Sequence, residues 1–271
     1  MKLVSLAFGL GLVALVGACA STTADHFTAD DSNLSALDID QTVKELTQLP
    51  YLPWGYTPDG CYARALYYSM VLATKVVPTN HLYVVVQNDG SSLGGQWRWH
   101  VAPVVTRDGD PNHLFVLDPD FSKDKALTNV EWVAKQGFPD PSVANYPNLH
   151  VWPGNSYMDP DDSIHPLVNP AAPSAADYKE PTFTEMPAFE MTDISAACAT
   201  MHDYIDIEPG RTAAQKTAKH QALGGATKTI LASLVGTQKV HGTPLLSTTC
   251  TRETGAASAA NSLPASDPTR R

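Results

Sequence analysis

Cys61 follows Asp59 and Gly60 and opens a run, Cys61 to Val76, in which only Arg64 and Lys75 are charged and which Pro78 closes soon after. The run reads as a buried helix with the thiol at its N-terminus. There the helix dipole and the unpaired N–H groups favour a thiolate, the form of cysteine that attacks carbonyl carbon. A negative Asp59 nearby works against this, so an imidazole has to supply the rest. A cysteine taken singly is more often a small packed hydrophobe or half of a disulfide, and its context must decide.

His100 lies in Gln96-Trp97-Arg98-Trp99-His100-Val101-Ala102-Pro103-Val104-Val105, an almost wholly apolar strand. A histidine flanked by tryptophans serves as a satisfied core residue in many proteins, yet a base for a thiol needs the same shielding and a fixed ring. Asp118 ends Leu114-Phe115-Val116-Leu117 and precedes Pro119, which cannot extend a ladder. A strand-end aspartate commonly satisfies turn donors. As the third member of a set with Cys61 and His100 it would accept the second imidazole N–H and hold the ring in one orientation. Helix-start cysteine, strand histidine and strand-end aspartate, in that chain order, are the arrangement of papain-like and transglutaminase-like hydrolases.

Positioning these groups requires a sheet beside the helix. Strands are predicted over His81 to Gln87, Gln96 to Val105 and His113 to Asp118, separated by Asn/Asp/Gly clusters. Asp108-Gly109-Asp110-Pro111-Asn112 reads as the turn that makes the last two antiparallel neighbours. Pro103 puts the histidine strand nearer an edge or a bulge. The expected class is α+β: a buried helix carrying the cysteine against an antiparallel sheet carrying histidine and aspartate. Two further helices, Asp193 to Ile207 and Arg211 to Val235 with Gly210 between them, form a helical C-terminal addition.

The chain opens with Met1-Lys2, an uncharged apolar stretch Leu3 to Val16 and small residues to Ala20, which together read as a signal peptide, 1–20. The stretch falls short of the roughly 20 residues a bilayer span needs. Val16-Gly17-Ala18-Cys19 has the form of a lipobox, with Cys19 acylated; Ala18-Cys19-Ala20 fits an ordinary cleavage site as well. Both make the protein exported, and the first makes it a cell-envelope lipoprotein. The remaining organisation is a Ser/Thr/Ala/Asp-rich linker at 21–40, a catalytic domain at 41–158, a Pro/Asp-rich connection at 159–187, a helical region at 188–250 and a disordered tail at 251–271.

Four cysteines stand in an oxidising compartment. With Cys19 lipidated and Cys61 reactive, Cys198 and Cys250 are left to pair; the rival, a disulfide through Cys61, would abolish the nucleophile. A net charge of −10 with no cluster of Lys and Arg excludes a nucleic-acid partner. His81, His113, His150 and His165 lack paired ligand spacing, and Asp159-Pro160-Asp161-Asp162 lacks the ligands and Gly of an EF-hand, so no metal and no other cofactor is expected.

Four ordered segments narrow the chemistry: Asp59-Gly60-Cys61-Tyr62-Ala63-Arg64-Ala65, Trp97-Arg98-Trp99-His100-Val101-Ala102, Val116-Leu117-Asp118-Pro119 and Asn155-Ser156-Tyr157. In this order they resemble the corresponding segments of bacterial protein-glutaminases, which convert protein-bound glutamine to glutamate and ammonia with a Cys-His-Asp triad on a transglutaminase-related fold. The resemblance implies Cys61 as attacking thiolate, His100 as general base and then acid, Asp118 as orienter, and a thioester intermediate. The Cys61 N–H is the first candidate oxyanion donor, with Trp54, Tyr56 and Trp99 as further candidates for oxyanion or substrate contact.

The partner implied is a protein or peptide with an accessible glutamine, and a membrane is met only through the N-terminal lipid. Leu66, where a histidine is usual, and Asp120, where a small hydroxyl residue is usual, depart from the pattern. The stretch between signal and Cys61 is too short for the family's inhibitory pro-region. The same triad also suits a cysteine protease or a transglutaminase, and a non-catalytic lipoprotein that binds a partner is the reading from another class.

Overall fold

The central strands are apolar at successive residues, not alternating ones, and such strands need cover on both faces. The computed structural model describes residues 26–28, 38–52, 60–86, 92–94, 97–107, 110, 112–155, 183–242 and 250. In chain order these form strand β1 (His26–Thr28), helix α1 (Ile39–Thr47) and helix α2 (Cys61–Ala73). Next come β2 (Asn80–Val85), β3 (Trp99–Thr106), β4 (Leu114–Val116), β5 (Leu127–Thr128), helix α3 (Asn129–Lys135) and β6 (Asn148–Pro153). Strands β7 (Glu185–Pro187) and β8 (Phe189–Glu190), helices α4 (Met191–Ile207) and α5 (Ala213–Gly236), and β9 (Val240–His241) complete the set.

Strands β5, β4, β3, β2 and β6, in that order, make a five-stranded antiparallel sheet. Tyr83, Val85, Val101 and Val105 face α2, whereas Leu82, Val84, Ala102 and Val104 face a second core built with Trp132 and Val133 of α3 and with Phe138. The fold is therefore α+β, with a buried helix against an antiparallel sheet and a helical C-terminal addition, as the sequence predicts.

Helix α2 is covered all round because it lies between the sheet and the pair α4–α5. Of its residues all but Val71 are buried. Ile194, Ala197, Cys198, Met201 and Ile205 of α4 and Leu223, Ile230, Leu231 and Leu234 of α5 share one core with it. Their helical spacing marks the inner face of each helix. None of the described helices is long and apolar enough to cross a membrane.

Three expectations need correction. Pro103 does not lie at an edge or a bulge, since β3 is the middle strand of five. Its ring nitrogen faces β4 at the place where that pairing ends: Leu117 N–H donates to Pro103 O at 2.9 Å, and proline has no N–H to return. The ladder of Val104 with Val116 thus closes there, and the chain is released into the turn that carries Asp118. The stretches read as linker and connection also contain structure, since β1 falls in the first, β7 ends the second, and the two pair antiparallel. Strands of three residues are too short to show alternation, so composition alone hid them.

Cys198 and Cys250 are bonded to each other across 52 positions of sequence. The bond fastens Cys250 to α4, while Gly224 lets the Cys250 carbonyl approach α5: a Cβ built at Gly224 would stand 2.7 Å from that oxygen. Reducing this disulfide, or replacing it by Cys198→Ala with Cys250→Ala, is expected to lower stability by roughly 2–4 kcal/mol, the usual range for a disulfide, measured as a fall in Tm.

Candidate active site

Helix α2 begins at Cys61 with Gly60 as N-cap and no side chain capping it, so the first-turn N–H groups are not spent on a cap. The thiol is 8% exposed and unbonded. Its sulfur is near enough to His100 to help raise the imidazole pKa. The imidazole Nε2 lies 2.8 Å from Asp118 Oδ2, which leaves Nδ1 as the nitrogen for Cys61. His100 and Asp118 are each 6% exposed. The structure thus brings together Cys61, His100 and Asp118.

A carboxylate this deep must be surrounded by donors. Asp118 Oδ2 also accepts from Trp132 Nε1 at 2.8 Å, and Oδ1 accepts from the Asp120 N–H at 3.1 Å. Asp120 in turn pairs with the buried guanidinium of Arg64, one turn along α2 from Cys61. The imidazole is walled by aromatic rings: Trp97 stacks at 6.2 Å, Trp132 lies at 5.6 Å, and Phe121 meets it edge-on at 5.5 Å.

The charges are tuned by these neighbours. Burial disfavours the imidazolium, but the charge and hydrogen bond of Asp118, with those of Cys61, outweigh it and raise His100 from 6.5 to about 10. Burial likewise opposes the Asp118 carboxylate; His100, the Trp132 hydrogen bond and Arg64 prevail and hold it below the usual carboxylate range. The pair is thus an imidazolium and a carboxylate at neutral pH, with the Cys61 sulfur near the first.

Trp132 and Arg64 were not among the residues singled out for the site from sequence. A signal for Trp132 existed: Thr128-x-x-Glu131 is a capping box, both halves of which form, and it announces the short helix that aims the indole at Asp118. Of the other candidates, Trp99 lies beside the site and packs between Tyr62 and Tyr83, 6.0 Å from each ring. Trp54, Tyr56 and Cys19 lie outside the described residues. Cys198 and Cys250 are joined, away from the thiol. The one group among the described residues with metal-ligating geometry, Cys198, His202 and Cys250, has two of its three ligands in that disulfide.

Because the folded value of His100 lies above 6.5, the stability it contributes is complete below about pH 6.5 and is lost as pH rises through about 10. Asp118 contributes in the opposite sense, above the usual carboxylate range, and its share is lost as pH falls through its lowered value. An NMR titration of the His100 ring is expected to show a midpoint near 10, and Asp118→Asn to move it down by at least one unit.

Residues 36–136 match the model of a glutamine-deamidase family described as glutaminase. No curated protein matches the chain. Among solved structures, an NMR structure of protein-glutaminase from Chryseobacterium proteolyticum aligns at 19% identity and TM-score 0.34, over 50% of this chain and 78% of that one. A crystal structure of protein-glutaminase aligns at 16% identity and TM-score 0.38, over 65% and 92%. A mutant of pro- protein-glutaminase aligns at 16% and 0.38, over 60% and 55%.

Proposed function

With residues 36–136 matching the glutaminase family, which supports an amidohydrolase, we propose that this protein deamidates glutamine side chains in proteins or peptides through a thioester on Cys61. The observation that carries the reading is the nearly buried thiol at the start of α2, outside any disulfide and beside an imidazole whose Nε2 is held by Asp118.

The Cys61 thiolate attacks the amide carbon, forming the C–S bond, and the carbonyl oxygen takes the negative charge against the Cys61 N–H, unused by the helix ladder. His100, as imidazolium, gives its proton to the amide nitrogen; the C–N bond breaks and ammonia leaves. His100, now neutral, takes a proton from water as that water adds to the thioester carbon. The C–S bond breaks, glutamate is released and the ion pair is restored. Asp118 keeps Nδ1 towards the sulfur throughout and stabilises each imidazolium.

The unbonded Cys61, with Cys198 and Cys250 joined, favours an enzyme over a binding lipoprotein with a bridged Cys61. The test is ammonia release from a glutamine-rich protein by residues 21–271, with the substrate chain checked for cleavage. Ammonia with an intact substrate is expected, falling at least about a thousandfold in Cys61→Ala. New peptide termini without ammonia would make the protein a protease, and amine incorporation a transglutaminase.

We propose further that the protein acts outside the cytoplasm, held at the envelope by a lipid on Cys19. A disulfide between Cys198 and Cys250 suits an oxidising compartment. Cells fed a labelled fatty acid are expected to label the chain, and Cys19→Ala to stay unlabelled; label on neither would leave ordinary cleavage and release, and label on both would place the lipid at another residue.

A further inference from the structure

The residue that precedes the nucleophile touches the C-terminal addition. A Cβ built at Gly60 would stand 2.5 Å from Cε2 of Tyr204 and 3.0 Å from its Cδ2 and Cζ. The φ of Gly60, 176°, is open to any residue, so it is the room taken by the Tyr204 ring that demands glycine here. A position in the Asp59-Gly60-Cys61 word is thereby tied to a residue far along the chain, in a helix that the sequence treats as additional to the family's core.

Tyr204 lies at the border of the buried face of α4. Met201 and Ile205 beside it are fully buried against α2, whereas Tyr204 is only partly covered. The helix behind the ring is fixed by that core and by the Cys198–Cys250 bond. The result is a flat apolar surface, rigidly backed, one residue from the attacking sulfur.

Building on the deamidase reading above, we propose that the Tyr204 ring is one wall of the slot for the glutamine side chain and so determines specificity for its length. In the tetrahedral adduct the amide carbon is bonded to sulfur, its oxygen turns to the Cys61 N–H, and its nitrogen turns to His100. On this proposal the aliphatic chain leaves past Gly60, against which the ring packs. The two methylenes of glutamine lie along it; asparagine, one methylene shorter, brings its amide carbon to the sulfur only by lifting away from the wall. The C-terminal addition thereby completes the substrate site.

The experiment uses residues 21–271 with short blocked peptides carrying glutamine or asparagine. It reads KM and kcat for ammonia release, together with the rate of Cys61 alkylation by iodoacetamide and the protection each peptide gives. Tyr204→Ala is expected to raise KM for the glutamine peptide roughly tenfold, the scale of burying one or two methylenes, with kcat within about twofold. The preference for glutamine over asparagine should narrow, and unprotected alkylation should stay at the wild-type rate. Tyr204→Phe should keep the preference for glutamine over asparagine, because the ring and not its hydroxyl forms the wall. Should Tyr204→Ala fail to fold, Tyr204→Leu is read in the same way.

An unchanged KM with ammonia still released overturns the wall and keeps the deamidase reading. Loss of kcat and of alkylation together also overturns it, showing the ring to be only a support for α2. Wild-type protein that releases no ammonia but is protected by the glutamine peptide, with protection lost in Tyr204→Ala, overturns the deamidase reading and keeps the wall. Neither turnover nor protection overturns both.

Discussion

A carboxylate removed from water persists only where donors replace its hydration, and much of this molecule serves that need at Asp118. Its oxygens receive the imidazole, the Trp132 indole and the backbone of Asp120, and each donor comes from a different segment. Histidine arrives on the middle strand, tryptophan on the short helix α3, and the Asp120 amide from the turn in which the carboxylate itself sits. That turn is pinned to α2 through Arg64. Removing any one of these donors leaves the buried charge less well satisfied, so the cluster is held more strongly as a unit than its separate bonds suggest.

The site also marks where two cores meet. Cys61 belongs to the core that α2 shares with the α4–α5 pair, whereas the rings around His100 pack against the core on the other face of the sheet. Cys61 and His100 are thus each locked by independent packing, and their approach is set by how α2 seats on the sheet. This is a physical reason for a helix buried nearly all round behind the thiol: a helix with a solvated face would have one free side on which to shift.

What could be read from sequence follows from local physics. An apolar run with a cysteine at its start, apolar strands bounded by turn residues, and histidine and aspartate on neighbouring strands all leave marks within a few positions. Register and partnership do not. The misreading of Pro103 came from knowing that a proline lacks a donor without knowing which neighbour that nitrogen faces; with β4 on that side and already ending, a middle strand tolerates it. Strand β6 lies beside β2 although much of the chain separates them. Trp132 escaped because a helix of seven residues shows barely two turns of pattern, although its capping box was legible. The closeness of Gly60 to Tyr204 has no local trace at all.

On the proposed reaction, the depth of Cys61 and His100 bears on the choice of target. With sulfur and imidazole each less than a tenth exposed, little of either projects beyond the surface that surrounds it. On the proposed reaction a glutamine has to reach down by its own side chain, whose methylenes span only a few bond lengths. A glutamine flanked by bulky neighbours on a rigid helix or in a flat sheet holds its backbone too far away. Those in chain ends, protruding loops and unfolded stretches can lean in, so the folded state of the substrate, and not only its sequence, selects which amides are hydrolysed.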